Sequence, residues 1–111
     1  IMYDFTENEK LAGLHLVNDC LYSMGGKRPL DILNDEYNWT SPEVLTSSGW
    51  SEHEAAGTYG ALEAKGAVYI EKDNSQYEKD AWNDMVCLDV FEWAEDHWDA
   101  FVAAGKPKKA S

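Results

Sequence analysis

Few side chains in this sequence are placed where they could carry out catalysis. His97 lies between Asp96 and Asp99, a group that could be taken for metal ligands. Neighbours at this spacing on a helix point in different directions, so the pattern does not favour a shared metal ion. The Gly-Gly-Lys stretch at 25–27 lacks the earlier glycine and the following Ser or Thr of a phosphate-binding loop. We therefore expect a protein that is not an enzyme and needs no cofactor.

The size and composition of the chain predict one domain. The sequence has 111 residues, of which 44% are hydrophobic, enough to fill a single core. It contains no run of 18 apolar residues, and its first ten residues lack the order of a secretory signal. We expect one domain over residues 1–105 and a disordered basic tail at 106–111, in a cytoplasmic protein that does not enter a membrane.

Charge is the most informative bulk property. The chain has 21 acidic and 9 basic residues, for a formal net charge of −12, and such a surface repels a phosphate backbone. Residues 71–99 hold ten acids and two lysines, whereas residues 100–111 hold three lysines and no acid. The acidic surface either binds a partner or only keeps the protein soluble.

The two cysteines, Cys20 and Cys87, lie far apart and match no metal-binding spacing. We expect two buried, reduced thiols and neither a disulfide nor a zinc site.

The stretch 39–72 contains the clearest run of structural signals. Residues 41–43 read Ser-Pro-Glu, which predicts the start of a short helix. Gly49 interrupts it, and Ser51 with Glu54 has the spacing of a capping box that begins a second helix. Gly66 ends that helix, and residues 67–72 have the composition of a strand.

Helices are predicted on both sides of this stretch. Thr6 with Glu9 is a capping box for a first helix over residues 6–24, and the apolar spacing predicts a last helix over 89–104. Residues 82–88 alternate as a second strand, which makes a hairpin with the first. The hairpin and the helix at 51–65 are expected to share a core of Ala55, Tyr59, Leu62, Val68, Ile70, Val86 and Leu88.

Helix, glycine turn, helix and strand in this order resemble the winged helix-turn-helix family. The resemblance implies an α/β, mostly α fold with a two-stranded wing and flanking N- and C-terminal helices. The sequence departs from the family pattern at Ser48, because in the family an apolar residue usually precedes the turn glycine. In this family the second helix of the pair enters the major groove of DNA. The resemblance thus implies a recognition role for Ser51, Glu52, His53, Glu54, Gly57 and Thr58.

The charge of that helix argues against DNA binding. Its first turn offers carboxylates where phosphates and base edges require Arg, Lys, Asn or Gln. The candidate phosphate contacts elsewhere are few: Lys27, Arg28, Lys65 and Lys72. The candidate acidic partner surface consists of Asp80, Asp84, Glu92, Glu95 and Asp96.

Two functions remain open from the sequence. The first is a small acidic regulator that acts through a protein partner, by holding a basic protein or imitating nucleic acid. The alternative is a winged-helix transcription regulator that binds DNA. Aromatic residues of the last helix also favour a homodimer, since large apolar side chains often mark a partner surface. The candidate dimer surface is Phe91, Trp93, Trp98 and Phe101.

Overall fold

Four α-helices make up most of the described chain, and a small sheet accompanies them. The computed structural model describes residues 3–32, 38–71, 84–87 and 90–109. The helices are α1 (Glu7–Met24), α2 (Glu43–Ser47), α3 (Glu52–Ala64) and α4 (Phe91–Ala103). The strands are β1 (Trp39–Thr40), β2 (Val68–Glu71) and β3 (Asp84–Cys87). The mostly helical class predicted from the sequence is confirmed.

The first helix begins and ends at the residues that its sequence indicates. The Thr6 side chain accepts a hydrogen bond from the Glu9 N–H, and the Glu9 carboxylate accepts one from the Thr6 N–H, at 3.2 and 2.9 Å. At the other end, Gly25 has a φ of 73°, a left-handed conformation that glycine adopts without a Cβ clash. None of the helices in the described ranges has the length and apolar content needed to cross a membrane.

The α2–α3 pair is held by local caps and by one tyrosine. Ser51 and Glu54 form the predicted capping box, with bonds of 3.1 and 3.2 Å. The turn between the helices passes through Gly49, whose φ is 103°. From inside α3, the Tyr59 hydroxyl donates to the Pro42 carbonyl at 2.6 Å, and burial raises the pKa of that hydroxyl to about 12. These bonds fix where α3 begins relative to α2.

The sheet is antiparallel, with β3 between β1 and β2. Strands β2 and β3 lie inside the stretches 67–72 and 82–88 that the sequence predicts as strands. The connection between them lies outside the described residues, as do Trp82 and Leu88. The sequence did not predict β1, because a strand of two residues has no detectable alternation.

The core forms around α1, which packs against α2, α3 and α4. Ala55, Tyr59, Leu62 and Val68 of the predicted shared core are buried, and Ile70 is half-buried. The described side chains with almost no exposure include Leu16, Val17, Leu45, Leu62, Val68 and Val90. Helix α3 and strand β2 therefore belong to the same core as α1.

The two cysteines join α1 to β3 inside this core. Both are free and fully buried, and the Cys20 Sγ lies 3.9 Å from the Cys87 Sγ. The contact with Cys20 and burial raise the pKa of the Cys87 thiol, which keeps it protonated and unreactive at neutral pH. The predicted burial of both cysteines is confirmed.

Candidate functional site

The first turn of α3 is at the surface, with its predicted recognition residues together. Ser51, Glu52 and His53 are exposed, as are Glu54 and Gly57 one turn further on, and Thr58 is half-buried. The thirteen residues of α3 include no Lys or Arg. The end of α3 that the family resemblance assigns to DNA is therefore acidic.

The outer face of α3 carries small residues that are exposed to solvent. Ala56, Gly57 and Gly60 are exposed, and a Cβ added at either glycine would meet no atom within 4 Å. At these two glycines, therefore, a partner can approach the α3 backbone closely.

Two of the four candidate phosphate contacts, Arg28 and Lys65, are paired with carboxylates of the chain itself. The Arg28 Nε is 2.6 Å from the Glu95 carboxylate, and a second Arg28 nitrogen is 2.8 Å from Asp99. These bonds to Asp99 and Glu95 raise the pKa of Arg28. Lys65 is paired with the Glu9 carboxylate.

The other two candidate phosphate contacts add little to the site. Lys27 is exposed, and its backbone N–H donates to Asp31 at 2.7 Å. Lys72 lies outside the described residues. In the part of the chain that the structure describes, the predicted basic contacts thus do not assemble at the first turn of α3, and Lys65 lies at the opposite end of that helix.

The predicted acidic surface is divided. Glu92 and Asp96 are exposed on α4, but Glu95 is half-buried and also accepts the Leu30 N–H at 3.2 Å. Asp80 lies outside the described residues, and Asp84 is placed by its backbone pairing with Glu71. Of the three predicted acids on α4, therefore, Glu95 helps hold the 28–31 turn, whereas Glu92 and Asp96 face solvent.

The aromatic side chains expected at a dimer surface are packed inside the chain. Trp93, Trp98 and Phe101 are buried and Phe91 is half-buried. Trp93 lies off the main apolar stripe of α4, yet it packs edge-on against Phe5, with ring centroids 5.0 Å apart. These side chains contribute to folding rather than to an exposed dimer surface.

A glycine on α1 accounts for the burial of Trp93. A Cβ added at Gly13 would lie 3.1 Å from the Trp93 ring, so the absence of a side chain there makes room for the indole. The space for the Trp93 ring depends on Gly13, 80 positions away in the sequence. The apolar spacing of α4 alone therefore cannot predict that Trp93 is buried.

Beyond α4 the chain turns back over α1. Gly105 and Lys106 have φ values of 82° and 51°, and these two left-handed residues reverse the chain direction. The Pro107 carbonyl then accepts the His15 Nε2–H at 2.8 Å. His15 is buried, with Trp50 and Phe101 edge-on beside it, and burial lowers the pKa of its imidazole.

The same segment ends against the α2–α3 turn. The Lys109 N–H donates to the Ser48 carbonyl at 2.8 Å, and the Lys109 Nζ lies 2.7 Å from the Glu54 carboxylate. The lysine side chain is only 12% exposed. Bonds from Lys109 and Ser51 lower the pKa of Glu54 to about 2, so Glu54 remains ionised at neutral pH.

We call residues 106–109 the tail segment, and the surface that holds it the tail seat, formed by His15, Ser48, Gly49 and Glu54. Composition predicts a disordered tail at 106–111, whereas residues 106–109 are held by these contacts. Residues 110 and 111 lie outside the described residues. The unusual Ser48 was the only sequence signal for this seat, and it gave no indication of what would bind there.

The tail seat depends on the turn glycine. The Lys109 carbonyl would lie 2.7 Å from a Cβ at Gly49, nearer than real Cβ contacts allow. Two features therefore require a glycine at position 49. Its φ is positive, and the tail backbone lies too close for a Cβ.

Across 3–32, 38–71, 84–87 and 90–109, the structure contains no cluster of three or more His, Cys, Asp or Glu residues that could hold a metal ion. A cavity of about 280 Å³ lies between α1 and α3. It is lined by Thr6, Asn8, Glu9, Trp50, Glu54, Gly57, Thr58, Ala61 and Lys109. Its carboxylates are already paired with Lys65 and Lys109.

Comparison of the chain with protein-family models, with curated proteins and with solved structures finds no match. The function must therefore be inferred from the geometry and charge of the chain itself.

Proposed function

We propose that the chain is a winged-helix domain that acts by binding a basic protein segment and has no catalytic activity. The winged-helix assignment is supported by the order of the elements: a helix, a short strand, a helix-turn-helix, two strands and a last helix. Two buried thiols fit a regulator that works in the reducing cytoplasm.

The observation that carries the function is the charge at the start of α3. Glu52 and Glu54 are exposed there, and no base lies within the helix. A DNA-reading helix must lie among phosphates, where each carboxylate would be repelled. A segment with Lys or Arg is attracted to the same surface.

The contacts of Lys109 support the same choice of partner. One lysine of the chain already lies against Glu54 with most of its side chain covered. Charge-assisted bonds of this kind are stronger than neutral ones. The surface therefore accommodates an ammonium group in good geometry.

A DNA-binding transcription regulator is the second candidate. One observation favours it: Lys106 and Lys108 are exposed on the tail segment beside the helix-turn-helix, where they could meet phosphates. This candidate requires those lysines to outweigh a net charge of −12.

The two candidates are separated by titrating the chain with a fluorescent lysine-rich peptide and, separately, with duplex DNA of mixed sequence. Both titrations are run at about 50 and 200 mM salt. We expect salt-sensitive binding of the peptide and DNA binding no tighter than about 10⁻⁴ to 10⁻⁶ M. Tight duplex binding whose affinity falls with salt by a slope of about −0.9 per phosphate would establish the second candidate instead.

A further inference from the structure

We propose that the tail seat is a peptide-binding site, and that an extended lysine-containing segment of the partner binds there by replacing the tail segment. This inference rests on the proposed function and names the place and chemistry of the contact. Its direct basis is that the chain's own Lys-Pro-Lys-Lys segment is already bound in the seat.

Two of the contacts hold the backbone of the tail segment and not its side chains. The His15 imidazole donates to the Pro107 carbonyl, and the Ser48 carbonyl accepts the Lys109 N–H, each at 2.8 Å. Any extended peptide offers such groups at the same spacing. These two bonds can therefore be made by a segment from another protein.

The third contact selects a lysine. The Lys109 ammonium reaches Glu54 at 2.7 Å through a side chain that is only 12% exposed. A shorter or neutral side chain would leave the Glu54 carboxylate without this partner. We expect the incoming segment to need a Lys at the position that corresponds to Lys109.

Gly49 allows the bound backbone to lie directly on the turn. The Lys109 carbonyl occupies the space of a Cβ at this position, 2.7 Å from where it would be. A glycine that leaves this space empty lets a peptide backbone approach closely.

The tail segment is held in a way that permits exchange. Among the described residues, its polar contacts with the seat are two hydrogen bonds and one ion pair, and the Lys109 backbone also packs on Gly49. Lys106 adopts a φ of 51° where the segment leaves α4. A non-glycine residue in this region is disfavoured. A tethered segment competes at an effective concentration in the millimolar range, so the attached tail weakens partner binding without preventing it.

The test measures binding of a fluorescent peptide with the sequence Ala-Gly-Lys-Pro-Lys-Lys-Ala-Ser, that of residues 104–111, to the full chain and two variants. Lys109→Ala removes the ion pair with Glu54 and so weakens the hold of the seat on the tail segment, although the two backbone hydrogen bonds remain available. Lys108→Ala removes the same charge from an exposed side chain and is the matched control.

We expect Lys109→Ala to bind the peptide about tenfold more tightly than the unaltered chain. Lys108→Ala should bind within about twofold of the unaltered chain.

A second readout needs no variant. The Lys109 amide is hydrogen-bonded in the seat, so it should be protected from hydrogen exchange and should lose protection when the peptide is added. Adding Glu54→Gln to Lys109→Ala should cancel the gain in peptide affinity, because the carboxylate that receives the lysine is gone.

Three results would overturn the proposal. Equal peptide affinity of the unaltered chain, Lys108→Ala and Lys109→Ala would show that the tail does not compete for the site. A protected Lys109 amide in the peptide complex would place the peptide elsewhere. Exchange of tails in a concentration-dependent dimer would assign the seat to a second copy. If a general lysine-rich peptide still binds in these cases, the proposed function stands and only the tail seat fails. If no basic peptide binds at all, both fail.

Discussion

The helices α3 and α4 have the same length, thirteen residues each, but contribute differently to the molecule. Helix α4 buries three large aromatic side chains, whereas the largest side chain that α3 buries is Tyr59. The outer face of α3 carries glycines, alanines and acids, of which Glu54 is paired with Lys109. On α4, Arg28 ties Glu95 and Asp99 to a neighbouring turn. Helix α4 is held on both its apolar and its charged sides, whereas α3 packs with its inner face and exposes an outer face of small residues and acids.

The largest expected effect is on α4. Trp98 is 3% exposed, so Trp98→Ala should lower the free energy of unfolding by about 3–5 kcal/mol, through lost burial and the cavity left behind. Urea denaturation of this variant measures the loss. Val102→Ala on the same helix alters a side chain that is 46% exposed and should change stability by less than about 0.5 kcal/mol. Equal losses in both variants would contradict the burial described for α4.

The inner side of α3 should also matter for stability. Leu62 has no exposure, and Leu62→Ala should cost about 2–5 kcal/mol in the same denaturation experiment. The result would show that α3 is anchored by its inner face. A loss no larger than that of a surface substitution would mean that α3 does not pack as described.

Acid titration compares the carboxylates of the two helices. Glu54 on α3 has a pKa near 2 because of its bonds to Lys109 and Ser51, and the bond to Arg28 lowers the pKa of Asp99 on α4. A lowered pKa stabilises the fold above the ordinary value near 4.5, and this contribution is lost as pH falls towards 2. In Lys109→Ala, side-chain NMR should show the Glu54 pKa rising towards 4.5 and no change at Asp99. An unchanged Glu54 pKa would mean that Lys109 does not hold it in solution.

The smallest expected effect is a gain on the outer side of α3. A Cβ at Gly60 would meet no neighbour, and alanine favours a helix over glycine by about 0.5–1 kcal/mol. Gly60→Ala should therefore raise the midpoint of thermal unfolding slightly. Gly49→Ala is the contrasting variant, because its positive φ and the Lys109 carbonyl forbid the added atom. A loss of stability in Gly60→Ala would show that the outer face of α3 is covered.

The features that the sequence predicted well are local. The capping boxes at Thr6 and Ser51 depend on a residue three positions away, and the structure has both. The features that it missed depend on distant partners. Strand β1 exists because Trp39 pairs with Val86, and the tail segment is ordered because Lys109 meets Ser48 and Glu54.

The candidate site shows the same division. The helix pattern places the α3 acids at the surface, so their exposure could be predicted. The pairing of Arg28 with α4 could not, because both carboxylates lie more than 60 positions away along the chain. Counting charged residues gives the net charge but not which groups are paired. The sequence therefore could not show that the Arg28 guanidinium is paired with Glu95 and Asp99.

The central claim is that the start of α3 is the surface that binds a basic segment, and a pair of charge reversals tests it most directly. Glu52→Lys on α3 and Asp96→Lys on α4 make the same change at exposed positions. The measurement is the affinity of each variant of the chain for the lysine-rich peptide, relative to the unaltered chain. The account predicts about a tenfold loss for Glu52→Lys and less than about a threefold loss for Asp96→Lys, because Glu52 lies in the same first turn of α3 as Glu54, whereas Asp96 lies on α4. Equal losses would attribute binding to net charge alone, and would contradict the assignment of α3.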